Sequence, residues 1–295
     1  MWLSPCVLPA MVLAAGLGTR LRPLTERLAK PLVPVGDRPA LAHVLDRLRA
    51  AGAPRLVVNV HHHAAQLRAF ATSHPDLAVS EETALLGTAG GVAHARALLG
   101  PGDALLWNAD ILADLDVRAL VAAHRAAATL VVQPLAAGQG SVGLDGRGRV
   151  VRLRRERFAD EVSGGEFLGI YVVSEALRAR MPQPGGMVED VLVPALARGE
   201  AVDAFFFDGP WHDIGTLAAY LAANLAWLAA REAGAWVAVG AEVAPGVALE
   251  ESIVGEGARV EGSGVVRGCV VWPGARAVAP LQGAVVTPDG VVPAT

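Results

Sequence analysis

Along roughly the first three quarters of the chain, short β-branched or aliphatic runs alternate with Ala/Leu-rich stretches of helical period. The period-two and continuous apolar runs predict strands over 12–15, 56–60, 104–107 and 129–133. Apolar residues recurring every three or four positions predict helices over 41–51, 64–71 and 117–127. Two later segments, 148–153 and 167–173, read as added strands, and 216–231 as a long helix. Strands alternating with helices predict an α/β fold, with a mostly parallel sheet flanked by helices.

After about Glu232 the texture changes. Small or aliphatic residues recur about every six positions with glycine close by: Val237, Val243, Val247, Ile253, Val260, Val266, Val271, Val278. Hexapeptide periodicity predicts a short left-handed parallel β-helix, whose coils stack on one aliphatic column. The alternative is an irregular Gly/Val-rich antiparallel sheet. The chain is thus divided into a main domain, 1–232, and a tail, 233–295. With so few coils, the tail is expected to lean on the main domain or on another subunit, giving a homo-oligomer.

Composition narrows the function classes. At 295 residues and 53% hydrophobic, the chain can bury a large core. The longest uncharged Ala/Leu-rich run, 215–230, is shorter than the ~20 residues of a spanning helix and contains Thr216, Tyr220 and Asn224, so no membrane partner is expected. The apolar N-terminus lacks a basic region and runs into a glycine loop, unlike a secretory leader. Cys6 and Cys269 form neither a disulfide framework nor a zinc spacing. A net charge of −4 without a Lys/Arg run argues against nucleic acid. A cytoplasmic protein is expected.

The chemistry concentrates in Leu-Ala-Ala-Gly-Leu-Gly-Thr-Arg-Leu-Arg-Pro-Leu-Thr, 13–25, followed by Lys30-Pro31 and Pro34-Val35. Gly16 and Gly18 let backbone N–H groups approach phosphate oxygens. The Arg20 guanidinium can fork onto two such oxygens, and Lys30 adds a mobile point charge. Pro23, Pro31 and Pro34 stiffen the segment. A dinucleotide fingerprint would need a third glycine where Leu21 stands, and no Gly-Lys-Ser/Thr makes a Walker loop.

This string resembles the signature of the sugar-1-phosphate nucleotidyltransferases (NDP-sugar pyrophosphorylases). The resemblance continues through Val58-Asn59-Val60-His61-His62, Leu86-Gly87-Thr88-Ala89-Gly90, Asn108-Ala109-Asp110, Phe167-Leu168-Gly169-Ile170-Tyr171 and Trp211-His212-Asp213-Ile214-Gly215-Thr216, covering about 9–230. The wording is nearest to the mannose-1-phosphate guanylyltransferase-like members. The resemblance implies the nucleotide-diphospho-sugar transferase fold, a Rossmann-like mixed sheet, often with a β-helical tail.

The implied reaction is in-line: a sugar-phosphate oxygen attacks the α-phosphorus of a nucleoside triphosphate and pyrophosphate leaves. The nucleophile is already an anion, so positioning and charge neutralisation carry the catalysis. By resemblance, Asp110 and Asp213 ligate Mg2+, Arg20 orients the leaving phosphates and Lys30 bridges them. The nucleotide is expected at Leu13, Ala14, Ala15, Gly16, Gly18, Thr19, Glu82, Gly87 and Thr88. Glu82 stands where a side chain could meet the base edge. A carboxylate only accepts, which suits the paired donors of guanine and points to GTP. The sugar phosphate is expected near Asn108, Gly140 and Glu166. Relatives hold it with the lysine of a Glu-Lys-Pro segment. Here that region reads Leu153-Arg154-Arg155-Glu156-Arg157-Phe158, and Arg157 is the candidate replacement.

The partners so implied are an NTP and a sugar 1-phosphate, first GTP with mannose 1-phosphate. The alternatives are UTP or dTTP with N-acetylmuramate 1-phosphate or glucose 1-phosphate, and a non-catalytic nucleotide-sugar-binding subunit. A hexapeptide acyltransferase would need a histidine in the tail, and none follows His212. His61-His62-His63 reads as a loop or helix start, since adjacent residues of an extended chain face opposite ways. Trp107 and Trp211 read as packing residues.

Overall fold

The computed structural model describes residues 8–294. Cys6, and the reading of the N-terminus as no leader, fall on or begin in residues 1–7, outside the described residues. Contacts divide the chain into two compact units: the segment ending at Gly16 with Val44–Trp211, and Leu17–His43 with His212–Thr295.

The first unit is built on one sheet. Its parallel part runs Ala104–Asn108, Ala10–Leu13, Leu56–Val60, Leu77–Glu81, in that spatial order. The first three are largely buried aliphatic runs, as strands covered on both faces require, while Leu77–Glu81 is only partly buried. The rest of the sheet centres on Ser163–Val173, which pairs antiparallel with Ala104–Asn108, Ala128–Leu135 and Val142–Leu144. Val202–Phe206 adds a further parallel pairing, to Ala128–Leu135, so the sheet is mixed. The core packs Met11, Val57, Leu106, Leu130, Val132 and Tyr171 against Val92, Leu99, Leu177 and Leu192 from flanking helices and turns.

Two expected boundaries shift for local reasons. The helix expected over 117–127 is Val117–Ala123, capped by the Asp116 carboxylate on the Ala119 N–H. It stops because His124 turns to extended backbone and buries its ring, with Nδ1 2.8 Å from Thr129 Oγ1. The strand expected over 167–173 begins at Ser163, with Gly164 and Gly165 paired to Leu135 and Pro134.

In the second unit, Thr216 caps the helix Leu217–Ala229 by accepting from the Ala219 N–H. Most of the strands that follow pair in parallel at a 17-residue step: Ala235 with Ser252, Glu242 with Arg259, Ile253 with Val270, Arg259 with Arg276. In the last coil the step falls to 15, Val266 with Leu281 and Val270 with Val285, after a bulge between Gly262 and Val266, and Gly290–Pro293 closes antiparallel on Ala284–Thr287. Ile253, Val260, Val266 and Val271 of the expected column are buried. Val278 is not. It is 59% exposed, because Val260 pairs with Ala277, which takes the inward place. Val237 in the first coil is likewise 44% exposed. Cys269 is a buried thiol, and burial pushes its pKa up. Among the described residues no helix is long and apolar enough to cross a membrane.

Candidate active site

In the first unit the four parallel strands deliver their C-terminal ends to one edge, where open α/β sheets bind ligands. Leu13 pairs with both Asn59 and Asn108, so the start of the glycine loop lies between those two side chains' strands. Ala14 and Ala15 are buried and Gly16 is exposed. Asp110 lies in the turn just past Ala104–Asn108, and the Ala109 N–H donates to Leu13 O.

A hydrogen-bonded chain fixes this edge. The Ala14 N–H donates to Asn59 Oδ1 at 2.8 Å, and Asn59 Nδ2 donates to Glu82 Oε1 at 2.7 Å. Glu82 Oε2 accepts from the Leu86 N–H at 3.1 Å. Glu82 is only 3% exposed. This corrects the direct base-edge role expected of Glu82: its carboxylate is sunk beneath the strand ends and braces Asn59 and the loop before Gly87. Asn59 is a site residue to which its sequence motif gave no role. Its signal was a polar residue inside a buried aliphatic run, which must find partners.

Gly87 and Thr88 open the helix Gly87–His94. Thr88 Oγ1 accepts from the Met187 N–H, while the Ala89 and Gly90 N–H groups donate to Gly185 O. The first turn of this helix is thus tied to 185–187 by bonds within the unit.

The residues expected at the sugar phosphate lie in two groups. The side chain of Asn108 lies against Gly169, at a bulge in Ser163–Val173. Glu166 Oε2 accepts from the Ser141 N–H at 3.0 Å, next to Gly140. Arg157 is 3.4 Å from Glu161 and its side chain is about half exposed. The arginine that organises this region is Arg152. Its guanidinium meets Glu161 at 2.7 Å and donates to the carbonyls of Gln139, Gly140, Val142 and Arg154. It holds the Glu161 carboxyl below its ordinary range.

The second unit carries the cations. Gly18 has φ 64° and caps the turn Thr19–Leu21. A Cβ there would come within 3.1 Å of both Lys30 Cβ and Thr25 Cγ2, so any side chain would have to push them aside as well as take the left-handed φ. Thr25 Oγ1 donates to Gly18 O at 2.8 Å. Thr19 and Arg20 are exposed. Arg20 Nη2 stands 3.9 Å from Asp213 Oδ2.

Asp213 ends the strand Trp211–Asp213, and Thr216 is the helix cap, so capping does not explain Asp213. Its Oδ1 is buried without a hydrogen-bond partner. A Cβ on Gly215 would lie 2.8 Å from that oxygen and 2.9 Å from Arg20 Nη2, so glycine keeps the space open. An unpartnered buried carboxylate oxygen is costly unless a cation compensates it, and hard divalent cations take such oxygens. The site therefore fits a divalent cation. Among the described residues no three acids, histidines or cysteines cluster as a full protein cage. A cation held by one or two carboxylates and completed by substrate phosphates and water needs none.

His63 sits at the start of the helix Ala64–Thr72, and His61 Nδ1 is 2.9 Å from Glu82 O. Trp107 is 1% exposed with its Nε1–H on Ile111 O, a packing residue.

Comparison with known proteins agrees with this arrangement. Residues 9–230 match the model of the nucleotidyl transferase family. The chain is 36% identical to an N-acetylmuramate α-1-phosphate uridylyltransferase of Caulobacter vibrioides, over 73% of this chain and 95% of the relative. It is 30% identical to a mannose-1-phosphate guanylyltransferase of Mycobacterium tuberculosis, over 89% of this chain and 82% of the relative. In fold it is similar to HddC from Yersinia pseudotuberculosis, solved with GMP-PN, with a TM-score of 0.64 and 20% identity over 75% of this chain and all of that one. With a family match over most of its length, the chain belongs to the nucleotidyl transferase family, as a sugar-1-phosphate nucleotidyltransferase.

Proposed function

We propose that the protein condenses GTP with mannose 1-phosphate to give GDP-mannose and pyrophosphate. The observation that carries the base and sugar is the extent of similarity. The guanylyltransferase of M. tuberculosis matches 89% of this chain, so the match must reach well into the C-terminal strands. A second reading, UTP with N-acetylmuramate 1-phosphate, is favoured by the higher identity of the Caulobacter uridylyltransferase, which accounts for 73% of this chain.

In this reading the nucleotide lies on Leu13, Ala14, Ala15, Gly16, Gly18, Thr19, Gly87 and Thr88, with Glu82 acting through Asn59. Arg20 draws the leaving phosphates and Lys30 neutralises charge on the phosphates as the sugar-phosphate oxygen displaces pyrophosphate. Asp110 and Asp213 would hold Mg2+. When bound, the metal supplies charge neutralisation at the triphosphate. Asn108, Gly140 and Glu166 face the sugar phosphate, with Arg157 or a neighbouring arginine in place of the missing lysine. The chemical machinery falls in 1–232, and 233–295 forms a short left-handed β-helix. The family match ending at 230 and the 17-residue step that starts at Ala235 support that division. A cytoplasmic location and assembly through the tail belong to the same proposal.

Pairing each triphosphate with several sugar 1-phosphates, and reading pyrophosphate release, tests it. Highest kcat/KM for GTP with mannose 1-phosphate is the expected result. Highest kcat/KM for UTP with N-acetylmuramate 1-phosphate selects the second reading. Turnover with none of the pairs leaves the non-catalytic binding subunit.

A further inference from the structure

The segment that carries Arg20 and Lys30 is held from below by the C-terminal coils, within the second unit. Two hollows undercut it, of about 630 and 570 Å³. Leu28, Trp272 and Pro288 line both and form the ridge between them. Close packing therefore does not fix the segment along its whole length, and directional bonds matter more.

Those bonds converge on Pro34 and Gly36. The Tyr220 hydroxyl donates to Pro34 O and accepts from Trp272 Nε1 at 2.9 Å. Tyr220 is fully buried and Trp272 is 7% exposed. A hydroxyl can accept an indole N–H and donate to a carbonyl at once, which a phenylalanine ring here could not. Beside it, Asn224 Oδ1 accepts from the Gly36 N–H at 2.9 Å. Trp272 belongs to the coils through its own N–H, which donates to Val286 O at 2.8 Å.

Pro34 follows Lys30 by one turn, Lys30–Leu32, closed by the Val33 N–H on Lys30 O. Holding the Pro34 carbonyl therefore fixes the C-terminal end of the turn that presents Lys30. The N-terminal end is fixed by the fit of Gly18 against Lys30 Cβ.

We propose that Tyr220 and Trp272 are positioning residues for the reaction: a hydrogen-bonded chain from the C-terminal coils through the Tyr220 hydroxyl to the Pro34 carbonyl sets the conformation of the turn that carries Lys30. The tail thereby helps to position the chemical machinery carried by the main domain. This rests on the reading that Lys30 meets the substrate phosphates.

The test uses the full chain with Tyr220→Phe, which keeps the ring and removes the hydroxyl, and Trp272→Phe, which removes the indole N–H together with part of the ring. Tyr220→Phe is expected to lower kcat about tenfold while changing KM for the triphosphate less than twofold, the pattern of an interaction that matters in the transition state. Trp272→Phe lowers kcat by a smaller factor in the same direction. In a Lys30→Ala background, Tyr220→Phe has no further effect on kcat. A merely structural role would lower Tm and leave wild-type kcat and KM in the folded protein, and that result overturns the proposal. Amide exchange at Val33 and Gly36, measured without turnover, is expected to quicken in Tyr220→Phe. Unchanged exchange also overturns it. Failure of the wild type to release pyrophosphate with any pair would instead sink the substrate reading, and the exchange measurement would still decide the coupling.

Discussion

Glu82 and Asn59, 23 residues apart in sequence, meet through a 2.7 Å hydrogen bond from the Asn59 amide to a carboxylate oxygen that is almost wholly buried. Both partners of the Glu82 carboxylate, Asn59 Nδ2 and the Leu86 N–H, are donors. In Glu82→Gln one of them would face the new amide NH2. Losing a buried hydrogen bond in this way costs about 1–3 kcal/mol. Urea unfolding should show that loss, together with a raised KM for the triphosphate, because Asn59 no longer holds the Ala14 N–H. A variant of wild-type stability would refute the bracing role.

Asp213 should behave in the opposite sense. Its Oδ1 is buried and unpartnered and its Oδ2 meets Arg20 only at 3.9 Å, so Asp213→Asn removes a charge that the fold satisfies weakly. Tm is expected to hold or rise while pyrophosphate release falls by a factor of roughly 10²–10⁴. Asp110→Asn and Arg20→Ala should fall similarly. EDTA should abolish activity and added Mg2+ restore it. Full activity in Asp110→Asn or Arg20→Ala, or indifference to EDTA, would remove the roles given to them.

Gly18→Ala tests the cation-bearing turn. The left-handed φ strains any L side chain by about 1–2 kcal/mol, and the added methyl would press on Lys30 and Thr25. Reduced stability and a reduced kcat are both expected in denaturation and initial-rate measurements. Wild-type values for both would mean that the turn relaxes freely.

Glu200 provides a pH signature remote from the site. Hydrogen bonding to Arg180 holds its carboxyl down, from an ordinary 4.5 to about 2. A depressed carboxyl contributes stability above its unfolded pKa and loses it as pH falls through the folded one. The Tm deficit of Glu200→Gln should therefore be full at neutral pH and shrink between about pH 4.5 and 2. A deficit that is constant across that window would contradict the assignment.

Much of this was legible in the sequence where burial leaves a simple pattern. Leu56–Val60 is buried throughout and aliphatic but for Asn59, and its bounds are those the pattern predicts. Residues whose role depends on a distant partner were not legible. Nothing local in Glu82 announces that it turns inward to Asn59, and nothing in Arg152 announces that four carbonyls await it. The strand expected over 167–173 reaches back through Gly164 and Gly165 because Leu135 and Pro134 lie alongside to pair with them. His124 left its helix for a partner, Thr129, that lies five residues further on.

The 17-residue step shared by most of the C-terminal strands restricts how that region can vary in length. Adding or deleting one such step would carry inward residues onto inward places. The last coil is two residues shorter and keeps Val270 and Val285 buried because a bulge between Gly262 and Val266 absorbs the difference. An indel without such a bulge would rotate the aliphatic residues into water and the Glu–Arg pairs, such as Glu250 with Arg267, out of alignment. Lineages descended from this chain should therefore lengthen or shorten the region in whole coils. A designer could extend it by duplicating one.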